Sequence, residues 1–125
     1  MRMAPLSLGL AALAFAGFGA WLLVDPAALS VLGIELTRPT ATTEIRAFYG
    51  GLELGLAAFF ARAATRVEWF RPALLAQALA LGGIVLGRVV GFVVDGSAAP
   101  LILAFAALEA AGAVLAALAL RQLTG

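Results

Sequence analysis

The chain has 125 residues, 64% of them apolar and 12% charged, with a net charge of +1 and a mean hydropathy of +1.09. This lies outside the range of soluble domains, and the near-neutral charge excludes the dense basic face that nucleic acid requires. With no cysteine and no histidine, and with arginine as the only basic residue, disulfides, thiolate chemistry, the usual metal ligands and Schiff-base lysines are all excluded.

Four apolar stretches fill most of the sequence. The first covers residues 4–24 and is broken by Asp25-Pro26. Arg2 ahead of it resembles the start of a secretory signal, but the run is longer than a signal core and three more follow, so a retained helix is expected. A connector over residues 25–42 carries Ala28, Leu29, Val31, Leu32, Ile34 and Leu36 with Glu35. Such a segment forms either an interfacial helix acting as a lid or an ordinary capping loop, with turns at Gly33 and Pro39. The second stretch covers 43–62 and the third 72–94; Asp95-Gly96 then turns the chain into a fourth over 99–120. Each holds about 20 residues, the number a helix needs to cross about 30 Å of hydrocarbon. None shows the apolar/polar alternation of a barrel strand. Pro72 and Pro100 suit first helical turns, where a missing N–H costs nothing. The fold class is therefore all-α: a polytopic membrane protein, one domain built as a four-transmembrane-helix bundle.

Arginines flanking the stretches set the orientation. Arg2, the loop with Arg62, Arg66 and Arg71, and Arg121 fall on one side, against Arg38 on the other. The positive-inside rule then places both termini in the cytoplasm. Trp69 and Phe70 are expected as interfacial anchors beside the inner loop, with Trp21 at the opposite interface and Tyr49 somewhat deeper. Arg-only, Ala-rich usage fits a high-GC bacterial coding bias, so the membrane is read as a bacterial inner membrane.

Charges inside the apolar stretches carry the functional signal, since each costs roughly 3 kcal/mol on insertion scales and calls for a partner. Arg46, Gly50 and Glu53 fall at i, i+4 and i+7, on one face of an α-helix. Gln77 and Arg88 share a face of the third stretch, beside a stripe of Gly83, Gly87 and Gly91 that would admit another backbone. From the rise per residue, Glu53 and Glu109 lie about 15 Å and Arg88 about 10 Å below the outer surface, with Arg46 one turn down. Arg46, Glu53, Arg88 and Glu109 are thus expected to converge as a neutral polar cluster. Asp25, Glu44, Tyr49 and Asp95 would stand at its mouth and Gly50, Gly51, Gly87 and Gly91 would support it. The cluster is either two Arg–carboxylate pairs that set helix register or a water-accessible pocket opening outward. A metal site is not expected, because only hard carboxylate oxygens are present and arginines compete for them.

Glu44-Ile45-Arg46-Ala47-Phe48-Tyr49-Gly50-Gly51, followed by Glu53-Leu54-Gly55, resembles the E-x-R-A-x-Y-G-G signature of the DUF4345 family of small four-helix bacterial membrane proteins. Gly87-Arg88 with Gly91 and Asp95-Gly96 is similar to its second signature, and Pro26 with Leu32-Gly33-Ile34 to its first connector. The resemblance covers nearly the whole chain. It implies Glu44, Arg46, Tyr49, Gly50, Gly51, Glu53, Gly87 and Arg88 as shared positions, and it implies no activity, substrate or cofactor.

The leading expectation is a binding, accessory or small-solute transport component in the lipid bilayer, with no cofactor. Arg46 and Arg88 would hold a small anion or a lipid headgroup, and Glu53 and Glu109 would balance them or exchange protons. A membrane enzyme on a lipid or isoprenoid substrate is the alternative, with Glu53 or Glu109 as acid/base; that role requires a carboxylate without an Arg partner. A purely structural bundle whose charges set register is the other alternative. A homo-oligomeric pore would need a lipid-facing small-residue stripe, which Gly9, Ala12, Ala16 and Gly19 could supply.

Overall fold

The computed structural model describes residues 2–125, and among them no strand forms. Helix α1 (Met3–Val24) is followed by a 3-10 helix (Pro26–Leu32), then by α2 (Pro39–Ile45), a π-helical turn (Arg46–Gly51) and α3 (Leu52–Ala64). A short 3-10 turn (Val67–Trp69) leads into α4 (Phe70–Val94), and α5 (Pro100–Thr124) closes the chain. Three segments are long and apolar enough to cross a membrane: Met3–Val24, Val67–Val94 and Pro100–Thr124. Residues 43–62, read from sequence as one span, lie in a helical run in which α2, the π turn and α3 adjoin without a gap. The π turn leaves α-helical pieces of only 7 and 13 residues there. The connector is a 3-10 helix anchored by buried Pro26 and Leu29, and Gly33 ends it in a left-handed conformation at φ 80°.

The chain divides into two compact units, one made of the residues up to Leu8 with Ala63–Gly125, the other of Gly9–Arg62. In the first unit α4 and α5 form an antiparallel hairpin. Gln77 meets Gly112 and Arg88 meets Glu109, so partner numbers run in opposite directions. Gly96 closes the turn at φ 67°, a conformation that costs a residue with a Cβ about 1 kcal/mol or more. Pro100 then starts α5 where its ring fits the first turn.

Burial in this unit is concentrated at one end. Ala4 and Leu8 from the opening turns of α1, Ala63, Phe70, Ala73, Leu74, Ala116 and Ala119 are all buried, whereas no residue from 78 to 115 is. Small side chains dominate that packed end because lipid competes equally for large apolar ones, and alanine lets backbones approach. Phe70, expected beside Trp69 as an interfacial anchor, is only 6% exposed and belongs to the core; Trp69 alone stays at the surface, 38% exposed.

A polar relay crosses the same end. Ser7 Oγ donates to Gln77 Oε1 at 3.2 Å, and Gln77 Nε2 donates to the carbonyl of Gly112 at 3.2 Å. Ser7 and Gln77 are both fully buried, so each amide and hydroxyl contact replaces one that water would otherwise make. Three helices are tied through one side chain. Sequence placed Gln77 on the Arg88 face but did not find its partners.

In the second unit α1 is apolar on every side, so size rather than hydrophobicity selects its packing face. Ala11, Ala12, Phe15, Gly19 and Leu22 recur at three- and four-residue intervals and are buried, with Phe15 stacked on Phe60 at 5.6 Å between ring centroids. A Cβ on Gly19 would stand 3.0 Å from the carbonyl oxygen of Gly50 and from the nitrogen of Leu54. The Ala12 and Gly19 positions of the supposed lipid-facing stripe are thus buried within the fold. That assigns them to internal packing rather than to a second copy.

Replacing Gln77 by Leu is expected to lower unfolding stability in detergent by about 1 kcal/mol, because the relay breaks at both contacts. Ser7→Ala should cost less, since Gln77 keeps Gly112. Thermal or denaturant unfolding of the purified variants measures both; equal stability of Gln77→Leu and the parent would show that the relay does not hold the three helices.

Candidate functional site

Arg88 and Glu109 meet across the α4–α5 hairpin. Each is set by counting from the Asp95–Ala99 turn: Arg88 lies about 9 Å before the end of α4 and Glu109 about 13 Å after the start of α5. Arg88 Nε donates to Glu109 Oε2 at 2.7 Å and Nη2 donates to Oε1 at 2.8 Å. This is a side-on bidentate pair in which both carboxylate oxygens are engaged. The guanidinium carbon also lies 5.8 Å from the centroid of the Phe105 ring, within cation–π range. The two side chains keep 24% and 18% of their surface exposed. An ion pair within a spanning helix therefore sits where the hairpin has no buried residue, reachable from its surroundings rather than sealed in a core.

The other members of the expected cluster belong to the second unit. Arg46 Nη1 donates to the carbonyl oxygens of Leu23 and Val24, the latter at 3.4 Å. These are the last carbonyls of α1, which have no partner within their own helix. Among the described residues Arg46 forms no ion pair. Of the two Arg–carboxylate pairs in one reading of the cluster, Arg88–Glu109 forms. Glu53 opens α3 and is half-buried, with Oε2 shut off from solvent. The shared face predicted for Arg46, Gly50 and Glu53 assumed 3.6 residues per turn throughout. The π turn over Arg46–Gly51 inserts the equivalent of one residue into that interval, rotating Arg46 about 100° from α-helical register with Glu53.

The residues read as a pocket mouth are all at the surface: Asp25, Glu44 and Tyr49 on the second unit and Asp95 on the hairpin turn. Of the supporting glycines, Gly50 is in close packing, with Leu23 Cα 2.9 Å from where its Cβ would be. Gly51 touches only its own helix, and Gly91 only Asp95 Oδ2, 3.3 Å from its Cβ position. No described atom lies within 4 Å of a Cβ built on Gly83 or Gly87, so no backbone occupies the approach that this stripe permits. Among the described residues no group of three or more carboxylates could hold a metal ion. A shallow recess lined by Leu36, Thr37, Arg38, Pro39, Thr42 and Thr43 offers little to a ligand. The hydroxyls of Thr42 and Thr43 already donate to the carbonyls of Arg38 and Pro39.

Sequence reasoning missed Ser7, Gly112 and the two α1 carbonyls. A lone Ser in an apolar helix and a buried Gln eleven residues from an Arg were available as signals. Main-chain acceptors leave none.

For the ion pair, removing one partner leaves an uncompensated charge, whereas removing both does not. Arg88→Leu or Glu109→Leu alone should destabilise the protein by about 3 kcal/mol, and the double Arg88→Leu/Glu109→Leu variant by less than either. Unfolding of the four proteins as a double-mutant cycle measures the difference; additive losses would show that the two groups do not interact.

A family model described as a domain of unknown function, DUF4345, matches residues 3–120. No curated protein and no solved structure matches the chain.

Proposed function

Because this chain belongs to the DUF4345 family, a membership that carries no activity with it, we propose its function from geometry. It is a four-span protein of the bacterial inner membrane, with both termini cytoplasmic, that binds an anionic lipid headgroup or a small anion as a binding, accessory or small-solute transport component. The observation that carries this reading is the placement of the Arg88–Glu109 pair. The hairpin has a second polar contact, the Ser7–Gln77–Gly112 relay, whose Ser7 and Gln77 side chains are buried in the packed end. Register is held there by neutral groups at low cost. A charged pair is a costlier way to hold register, and this one lies where packing is thinnest. An arriving anion competes with Glu109 for the guanidinium, and the displaced carboxylate is then available to exchange a proton. That exchange is the elementary step of a coupled binder or carrier.

An enzymatic role would need a carboxylate free of guanidinium. Both oxygens of Glu109 accept bonds from Arg88, so Glu109 does not meet that requirement.

The fourth span is the run from Pro39 to Ala64, whose 26 helical residues extend for about 39 Å, enough for the bilayer core despite the π turn. The chain has no native cysteine, so single-cysteine variants report topology cleanly. Cysteines at Thr37 and Ser97 should react with an impermeant maleimide added outside intact cells, and those at Thr65 and Thr124 only after permeabilisation. Labelling of positions 37 and 65 from the same side would rule out a span between them.

For binding, native mass spectrometry of the protein purified from membranes containing phosphatidylglycerol reads retained lipid directly, and titration with inorganic phosphate tests a small anion. The Arg88→Leu/Glu109→Leu variant should remain folded and lose retention by about tenfold, while Gln77→Leu keeps it despite lower stability. Equal retention by the double variant would return the pair to a purely structural role.

A further inference from the structure

Arg46, Tyr49 and Gly50 fill three of the six specified positions of the E-x-R-A-x-Y-G-G motif, and Arg46 donates from Nη1 to main chain. Two independent contacts converge on the same few atoms of α1. Arg46 Nη1 reaches the carbonyls of Leu23 and Val24, and Gly50 seats its α-carbon against Leu23, where a Cβ would come within 2.9 Å of Cα and 3.1 Å of N. Gly19, one turn earlier on α1, meets the Gly50 carbonyl and Leu54 in the same manner. Both contacts come from the π turn, Arg46–Gly51. In an unbroken α-helix the two could not hold these positions, because losing one residue's worth of rotation swings Arg46 about 100° relative to the segment after the turn.

We propose that the Arg46–Gly51 π turn is a latch for the outer end of α1. Arg46 caps the orphan carbonyls as a cation at a helix C-terminus, and Gly50 provides the close contact that sets its distance. The signature Arg–Gly pair thus holds a helix and not a ligand. The capping is favourable twice over: a charged donor satisfies carbonyls that lipid cannot, and it faces the negative end of the helix dipole.

Hydrogen exchange of the full-length protein in phosphatidylethanolamine/phosphatidylglycerol nanodiscs tests this, read at the last turn of α1 (residues 21–25) with α5 as internal reference. Arg46→Ala should accelerate exchange at 21–25 by about tenfold, the size of one charge-assisted bond, and leave α5 unchanged. Gly50→Ala should give the same local signature, because its neighbour is backbone and cannot yield cheaply. Gly51→Ala should match the parent, since a Cβ there meets nothing closer than 3.7 Å. If Arg46→Ala fails to fold, Arg46→Met, which retains the apolar stem without donors, decides the matter. Parent-like exchange at 21–25 in the foldable Arg46 variant, or equal effects of Gly50→Ala and Gly51→Ala, would overturn the latch. None of these outcomes touches the Arg88–Glu109 binding test, so the two can fail separately.

Discussion

Hydrocarbon offers a polar group nothing to bond with, and the described polar contacts of this protein follow from that constraint. A chain with 64% apolar residues gains little by choosing which apolar face to bury, because acyl chains solvate leucine as well as another leucine does. Polar atoms and missing side chains therefore carry the specificity. Gln77 has to be satisfied, so the opening of α1 and the late part of α5 come to it. Arg88 and Glu109 have to neutralise each other, so the hairpin holds its pairing level. Arg46 has to find acceptors, so the end of α1 lies beside it.

These contacts differ in kind as well as place. The glutamine relay is neutral and buried among alanines, and it works as a fastening. The ion pair is charged, within cation–π range of Phe105 and partly open. Arg46 is charged but aimed at main chain. Formal charge within an apolar helix thus marks no single kind of contact: one guanidinium meets a carboxylate and the other meets main chain.

Much of this was legible in the sequence, and the exceptions share a cause. The stretches read as 4–24, 72–94 and 99–120 correspond to α1, α4 and α5 to within four residues at each end, because apolar runs bounded by Asp-Pro, Asp-Gly and Arg-rich loops are local signals. Depth counted from the Asp95-Gly96 turn brings Arg88 and Glu109 to one level, and the hairpin joins them. The π turn was not legible. Its six residues read as ordinary helix. The face assigned to Arg46 failed with it, since i, i+4, i+7 arithmetic presumes constant pitch. Phe70 was misplaced for a related reason: proximity to a basic loop says where a ring lies along the normal, and nothing about which way it faces.

A guanidinium keeps its proton at every pH a cell meets, and with no histidine or lysine in the chain no other nearby cation can titrate in its place. The basic half of the hairpin's ion pair thus carries a fixed charge. Two parallel bonds to a group of fixed charge tie that level of α4 to α5.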